Sequence, residues 1–339
     1  MIIDKMNQNS RIEFGLAIPQ GWRGGDLLLQ QENDPVKQYK FSKSISIAAD
    51  NIGFDSIYAY DHLIPFRRHD VDKNIFECLT LLTSVTAVTK RIKIGQIVTC
   101  NSYRNPPLLA KIISTLDVIS NGRTELGIGA GWYGREYEAY GYDFPSPPIR
   151  ISQLDEGLTI IKAMWSNERS ASFRGKYYKI QDAICNPKPI QKPHPIVMVG
   201  GSGEKYLLKV AAKHADRYNL FFGTPSEMKR KMSILKEYCK SNRGTNHHKD
   251  IQYSVVLPCI IRDSEEEVNH IIAQYKREDK TVEQYLKDLV DGITIGVPER
   301  ILKGINEYLN IGVTHFIFQF IGLDEKALKL FYSKVITKV

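Results

Sequence analysis

The sequence predicts a parallel α/β fold, with a closed (β/α)8 barrel favoured over an open doubly wound sheet. Three observations carry this. Short β-like apolar runs alternate with longer amphipathic segments from one end of the chain to the other, which is the pattern of a parallel sheet connected by crossover helices. The strand candidates number eight, at 12–19, 55–60, 92–98, 123–128, 195–199, 216–221, 251–259 and 313–320. The helix-to-strand turns repeat one local solution, in Asn51-Ile52-Gly53-Phe54-Asp55, Ser120-Asn121-Gly122-Arg123 and Asn310-Ile311-Gly312-Val313. A glycine just past a helix suits the left-handed conformation that caps its last carbonyls.

Between the strands lie helical segments at 42–51, 77–89, 107–119, 152–165, 204–214, 226–240 and 298–309, each long enough for a crossover. The 339 residues, 42% hydrophobic and 25% charged, can bury one large core or two medium ones. No linker, repeat or low-complexity tract divides the chain, so 1–339 reads as a single domain. Insertion loops are expected at the C-terminal mouth. The polar stretch 21–40 after the first strand and the segment 165–192, with a hairpin-like Ser172 to Tyr178, are candidate lids. A third interruption, 241–249, reads as a surface turn.

Composition narrows the function. The formal charge of +8 is spread along the chain. Its densest cluster, from Lys229 to Lys240, alternates with Met228, Met232, Leu235 and Cys239 as the solvated face of a helix would, so no nucleic-acid partner is expected. The excess positive charge can steer an anionic small molecule without selecting it. Apolar runs fall far short of the ~20 residues of a membrane span. The first residues carry no basic segment followed by an apolar core, and a cytoplasmic protein is expected. Five cysteines without a Cys-x-x-Cys pair argue against a zinc ribbon and a disulfide framework, and no metal site is expected.

Four constellations can carry chemistry. Gly200-Gly201-Ser202-Gly203 follows an apolar strand and opens a helix, where free N–H groups can cradle a phosphate; a tight structural turn would use the same residues. Tyr60-Asp61-His62 ends the second strand and can place a carboxylate and a titratable imidazole at the mouth, although taken alone such a pair is more often a helix cap beside a surface histidine. Gly95 to Asn101 ends the third strand ahead of a helix begun by Pro106 and Pro107, which would put Thr99 and Asn101 at the mouth, although the local pattern by itself favours a purely structural turn. Gly127-Ile128-Gly129-Ala130-Gly131-Trp132 ends the fourth. It lacks the spacing of a dinucleotide fingerprint, and its glycines leave room for a planar ring that Trp132 and Tyr133 could wall. Neither a Ser-His-Asp order nor His-Glu-x-x-His occurs.

In order and spacing, 53–62, 98–106, 116–132 and 199–203 together resemble the bacterial-luciferase-like flavin and deazaflavin oxidoreductases, over nearly the whole chain from Phe14 to Phe320. The resemblance implies a barrel that binds coenzyme F420, or alternatively FMN, at its C-terminal mouth and acts on a small organic substrate. Asp61 and His62 match the deazaflavin branch, with His62 as the catalytic acid or base. Asp61, Ile97, Val98, Thr99, Gly131 and the loop Gly200, Gly201, Ser202 and Gly203 are the implied cofactor-binding residues. A non-proline cis peptide in a bulge of the third strand would fall at Ile97-Val98. One departure is Trp132, which stands where the branch oxidising glucose 6-phosphate has a glutamate. The resemblance also admits an FMN-dependent monooxygenase supplied by a partner reductase, or a non-catalytic flavin-binding barrel. It implies a homodimer, for which the helices at 75–88 and 107–119 are candidate interfaces.

Overall fold

The computed structural model describes residues 11–22, 32–66, 70–241, 251–275 and 280–339. Its elements run β1 (Glu13–Ala17), α1 (Pro35–Ile52), β2 (Ser56–Ala59), α2 (Cys78–Thr86), β3 (Lys93–Gln96), β4 (Thr99–Cys100), α3 (Pro106–Ile119) and β5 (Leu126–Gly129). There follow α4 (Gly134–Ala139), α5 (Pro147–Trp165), the hairpin β6 (Ala171–Arg174) and β7 (Lys179–Ala183), β8 (Val197–Gly200), α6 (Leu207–His214), β9 (Arg217–Phe221) and α7 (Pro225–Ser241). The chain closes with β10 (Gln252–Ile261), α8 (Glu265–Tyr275), α9 (Val282–Asp288), β11 (Ile295–Gly296), α10 (Pro298–Leu309), β12 (His315–Phe320) and α11 (Glu325–Lys334).

The main sheet has the order β3-β2-β1-β12-β10-β9-β8-β5-β4, with every neighbouring pair parallel and β11 appended to β10. Its two ends meet. Ile94 of β3 bridges Thr124, donating to the Arg123 carbonyl at 2.9 Å and accepting from the Glu125 N–H at 2.8 Å. Strands β3 and β4 are thus two halves of one barrel strand, the first beside β2 and the second beside β5. The Ile97–Val98 peptide between them is cis, at the position the family resemblance implies. All eight candidate strands fall on barrel strands.

Local signals explain most boundaries. Asp34 accepts from the Val36 N–H at 2.8 Å and Pro35 opens α1, so the second half of the supposed loop 21–40 is the start of a helix; residues 23–31 lie outside the described residues. Residues 242–250, which include most of the third interruption, lie outside them too. Gly53 ends α1 at φ 124 with its N–H on the Ala49 carbonyl. Helix α6 begins at Leu207 and not at 204, because a separate turn over 204–206 precedes it.

The larger core lies between the ring and its helices, where Leu16, Ile57, Ile94 and Val199 from the strands meet Ala49, Leu82, Ile113 and Leu208 from the helices. The interior of the ring is different. Near the strands' N-terminal ends it is polar: Arg217 donates to Glu125 at 2.8 Å and to Glu13 at 3.3 Å, Tyr58 donates to Glu125 at 2.6 Å, and Ser254 bonds His315 at 2.7 Å. Burial together with the Arg217 and Lys93 charges holds the His315 imidazole well below its usual pKa, so it stays neutral. Toward the C-terminal ends Ala17, Tyr60, Ile97, Met198, Val256 and Ile317 form an apolar plug. Among the described residues no helix is long and apolar enough to cross a membrane. The five cysteines are buried and unbridged.

Candidate active site

At the C-terminal ends of the strands a cleft of about 500 Å³ opens above the apolar plug. Its floor is the bulge between β3 and β4. The Val98 methyls fit there only because β5 and β8 end in glycines: a Cβ on Gly129 would stand 2.9 Å from one methyl and a Cβ on Gly200 2.8 Å from the other. These contacts are far inside van der Waals distance. Thr99 is fully buried in the wall, and Gly131, at φ +75, turns the chain closely around the Tyr137 hydroxyl.

His62 projects into this cleft with both its orientation and its tautomer set. Its Nδ1 lies 2.8 Å from the Glu136 carboxylate. Glu136 is fully buried and also accepts from the Tyr103 hydroxyl at 2.6 Å and the Leu63 and Ile64 N–H groups at 2.7 and 3.2 Å. Burial alone would raise its pKa, but the hydrogen bond and charge of His62, with Tyr103 and the Leu63 N–H, bring the net shift downward. An ionised carboxylate only accepts, so Nδ1 carries the proton and Nε2 is left for the cleft. The imidazole also lies flat on Trp22, with centroids 3.6 Å apart and planes 3° apart.

Asp61 lines the cleft, but its carboxylate is already engaged. Both oxygens are taken by Arg104 at 2.7 and 2.9 Å, and one also accepts the Cys100 N–H at 2.8 Å. Asp61 therefore ties the end of β2 to β4 and the floor of the cleft.

The glycine loop leaves backbone N–H groups open at the mouth. Gly201, at φ +140, donates to the Asn219 carbonyl at 3.2 Å, and its own carbonyl accepts from the Tyr218 hydroxyl at 2.8 Å. Ser202 and Gly203 are exposed, and among the described residues no hydrogen bond takes up the N–H of Ser202, Gly203 or Glu204. Beneath the loop sits Lys231, only 2% exposed, whose ammonium donates to the Ser202 carbonyl at 2.7 Å and meets Glu204 and Glu227, each at 3.2 Å.

Sequence reasoning did not select Glu136, Arg150 or Lys231. Glu136 lies 74 residues from its histidine; the available signal was an acid four positions past Trp132, on the mouth loop of a strand that ends in glycines. Arg150, at 6% exposure, lines the cleft from α5, donating to the Gly131 carbonyl and standing 4.1 Å from the Phe144 ring centre. Lys231 belongs to the basic run read as a solvated face, and nothing local distinguishes it from its exposed neighbours. Of the two candidate lids, 21–40 contributes Trp22, whereas no residue of 165–192 lines the cleft. That segment connects a helix to a strand, so it does not start from the mouth. Glu156 of α5 holds its hairpin against the outside of the barrel by accepting the N–H groups of Lys176, Tyr177 and Tyr178 at 2.7 to 3.0 Å.

A parallel barrel with a glycine-lined cleft at its C-terminal mouth defines a class of enzyme scaffold, and sequence comparison gives the family. The chain belongs to the luciferase-like monooxygenase family, whose sequence model matches residues 23–315. It is 26% identical over 316 residues to an F420-dependent glucose-6-phosphate dehydrogenase of Amycolatopsis mediterranei, covering 87% of this chain and 92% of that one. It is 24% identical over 263 residues to an FMNH(2)-dependent dimethylsulfone monooxygenase of Pseudomonas putida, covering 78% and 69%. The fold matches an F420-dependent secondary alcohol dehydrogenase, solved with an F420-acetone adduct, at TM-score 0.77 and 18% identity over 96% of this chain and 98% of that one.

Proposed function

We propose that the chain is a coenzyme F420-dependent oxidoreductase that transfers a hydride between the deazaflavin and a small organic substrate. The observation that carries this is His62, clamped by Glu136 through Nδ1 and by Trp22 through its ring face on the wall of a cleft lined by Ile97 and Val98, which leaves Nε2 for chemistry. The relative named for F420 spans 87% of the chain and supports the choice of coenzyme.

The residues present fit such a group. The cleft, about 500 Å³, falls within the ~300–1,000 Å³ common for small-molecule sites. Gly200, Gly201, Ser202 and Gly203 would hold the phosphate, and Ile97, Val98, Thr99 and Gly131 the ring system, with Asp61 acting through the β4 backbone. When bound, the deazaflavin supplies the hydride chemistry. His62 holds or releases the accompanying proton at Nε2, Glu136 fixes the tautomer that makes this possible, and the aromatic side chains around His62 exclude water.

The test is titration of the purified apoprotein with F420 and with FMN, followed by fluorescence at low and moderate salt. F420 is expected to bind at least ~10-fold more tightly, a difference of about 1.4 kcal/mol. The reverse order would replace this reading with the FMN-dependent monooxygenase that the 24% relative suggests, with dioxygen consumption as its check. Binding of neither would leave only the barrel.

Lys231 gives a second test. Lys231→Met removes the ammonium that holds the Ser202 carbonyl and leaves Glu204 and Glu227 facing the loop. Affinity for the phosphate-bearing coenzyme is expected to fall by roughly 10-fold, the weight of a charge-assisted hydrogen bond. The same chromophore without its phosphate should bind almost as before. Equal losses for both ligands would mean that Lys231 supports the fold and not the cradle.

A further inference from the structure

The rim beside His62 points to the chemical class of the substrate. Trp132 is 56% exposed although it stands at the mouth of a cleft. Its indole is edge-on to His62, 6.1 Å between centres and 81° between planes, and edge-on to Trp22 at 6.5 Å and 79°. Phe66, 40% exposed, lies 5.6 Å from Trp22 and 6.3 Å from Trp132, and Tyr133 lies 5.2 Å from Trp132. One face of the imidazole is covered by Trp22, and the remaining approach is bordered by aromatic rings. Apolar surface left open at the edge of a cleft is a contact surface for something that covers it.

Charge argues in the same direction. Among the described residues the aspartate, glutamate, histidine, lysine and arginine side chains lining the cleft are Asp61, His62 and Arg150. Asp61 is matched by Arg104, while Arg150 is engaged by the Gly131 and Pro145 carbonyls and the face of Phe144. Beside the rim Arg135 donates to the Pro65 carbonyl at 3.3 Å and the Tyr133 hydroxyl at 3.4 Å, so among the described residues the arginines nearest Trp132 are already engaged. A planar apolar ring, by contrast, can lie against the indole in offset or edge-on geometry and bury surface on both partners.

We propose that this rim is the substrate subsite and that it takes planar apolar compounds, aromatic or conjugated carbonyls, packed against Trp132 with their oxygen toward His62, in place of sugar phosphates. The proposal rests on the reading above that Nε2 of His62 faces the reacting centre. It does not depend on which coenzyme fills the cleft.

The test compares two ketones that share a carbon skeleton, acetophenone and 1-cyclohexylethanone, with glucose 6-phosphate as the third probe. Each is titrated calorimetrically into protein saturated with whichever of F420 or FMN it retains, so that loss of the F420 reading leaves the comparison intact. Acetophenone is expected to bind roughly three- to tenfold more tightly than its saturated analogue, the weight of one aromatic contact, and more tightly than glucose 6-phosphate. Trp132→Ala should erase the preference between the ketones. Phe66→Leu should reduce it, which guards against a Trp132 variant that fails to fold. Equal binding of the two ketones, a preference that survives Trp132→Ala, or tighter binding of glucose 6-phosphate each overturns the proposal.

Discussion

His62→Ala is expected to lower kcat by ~10²- to 10⁴-fold, the usual weight of a positioned acid or base, while coenzyme affinity changes little. The expectation follows from what the substitution leaves in place. The cleft floor at Ile97 and Val98 and the glycine loop are untouched. Glu136 keeps the Tyr103 hydroxyl and the Leu63 and Ile64 N–H groups as donors, so its carboxylate is not left bare. Glu136→Gln is the informative companion, because an amide can no longer dictate which imidazole nitrogen carries the proton. It should reproduce part of the loss with His62 still present. Single-turnover measurements, with coenzyme binding followed separately, distinguish a chemical defect from a binding one. A His62→Ala enzyme that binds coenzyme normally and turns over at the parental rate would end the assignment of His62.

The second large effect concerns stability. Arg217→Met is expected to cost ~3–5 kcal/mol, as breaking a buried ion pair does when one partner remains. Arg217 is fully buried inside the ring and serves Glu125 at 2.8 Å and Glu13 at 3.3 Å. Burial opposes its charge, but Glu125, Tyr58 and Glu13 outweigh that and hold its pKa above the ordinary arginine value. Methionine of similar length would leave the Glu125 carboxylate in the barrel interior with Tyr58 as its principal remaining donor and Lys93 3.6 Å away. Urea unfolding of the two proteins would measure the difference. A variant as stable as the parent would show that the interior network is indifferent to its central cation.

These two residues mark the limits of what the sequence discloses. Strand positions were legible because each barrel strand is a short apolar run bounded by turn residues, and the glycine after α1 advertised its helix end. The cleft's ingredients were legible as strand-end motifs at His62, Thr99, Gly131 and Gly200. What local pattern cannot convey is pairing across the ring. Arg217 reads as one polar residue within a strand, and its partners at 13 and 125 become neighbours only when eight strands close. Glu136 was hidden in the same way, since the acid was sought directly after the glycines and the chain supplies it one helical turn later. The segment 165–192 shows a different failure. Its length suggested a lid, but it runs from a helix to a strand and none of its residues lines the cleft.

The packing of Val98 against Gly129 and Gly200 bears on how such a chain can change over generations. Any side chain at either glycine collides with Val98 methyls, and a smaller residue at 98 thins the floor of the cleft before a neighbour can grow to refill it. Single steps therefore lead downhill from all three positions, and a smaller residue at 98 would not free Gly129, where a Cβ also meets the Gly200 carbonyl oxygen at 3.0 Å. Under selection for activity the trio is expected to be inherited as a unit, with diversification displaced to the rim, where Trp132 and Phe66 face solvent and can be exchanged one at a time.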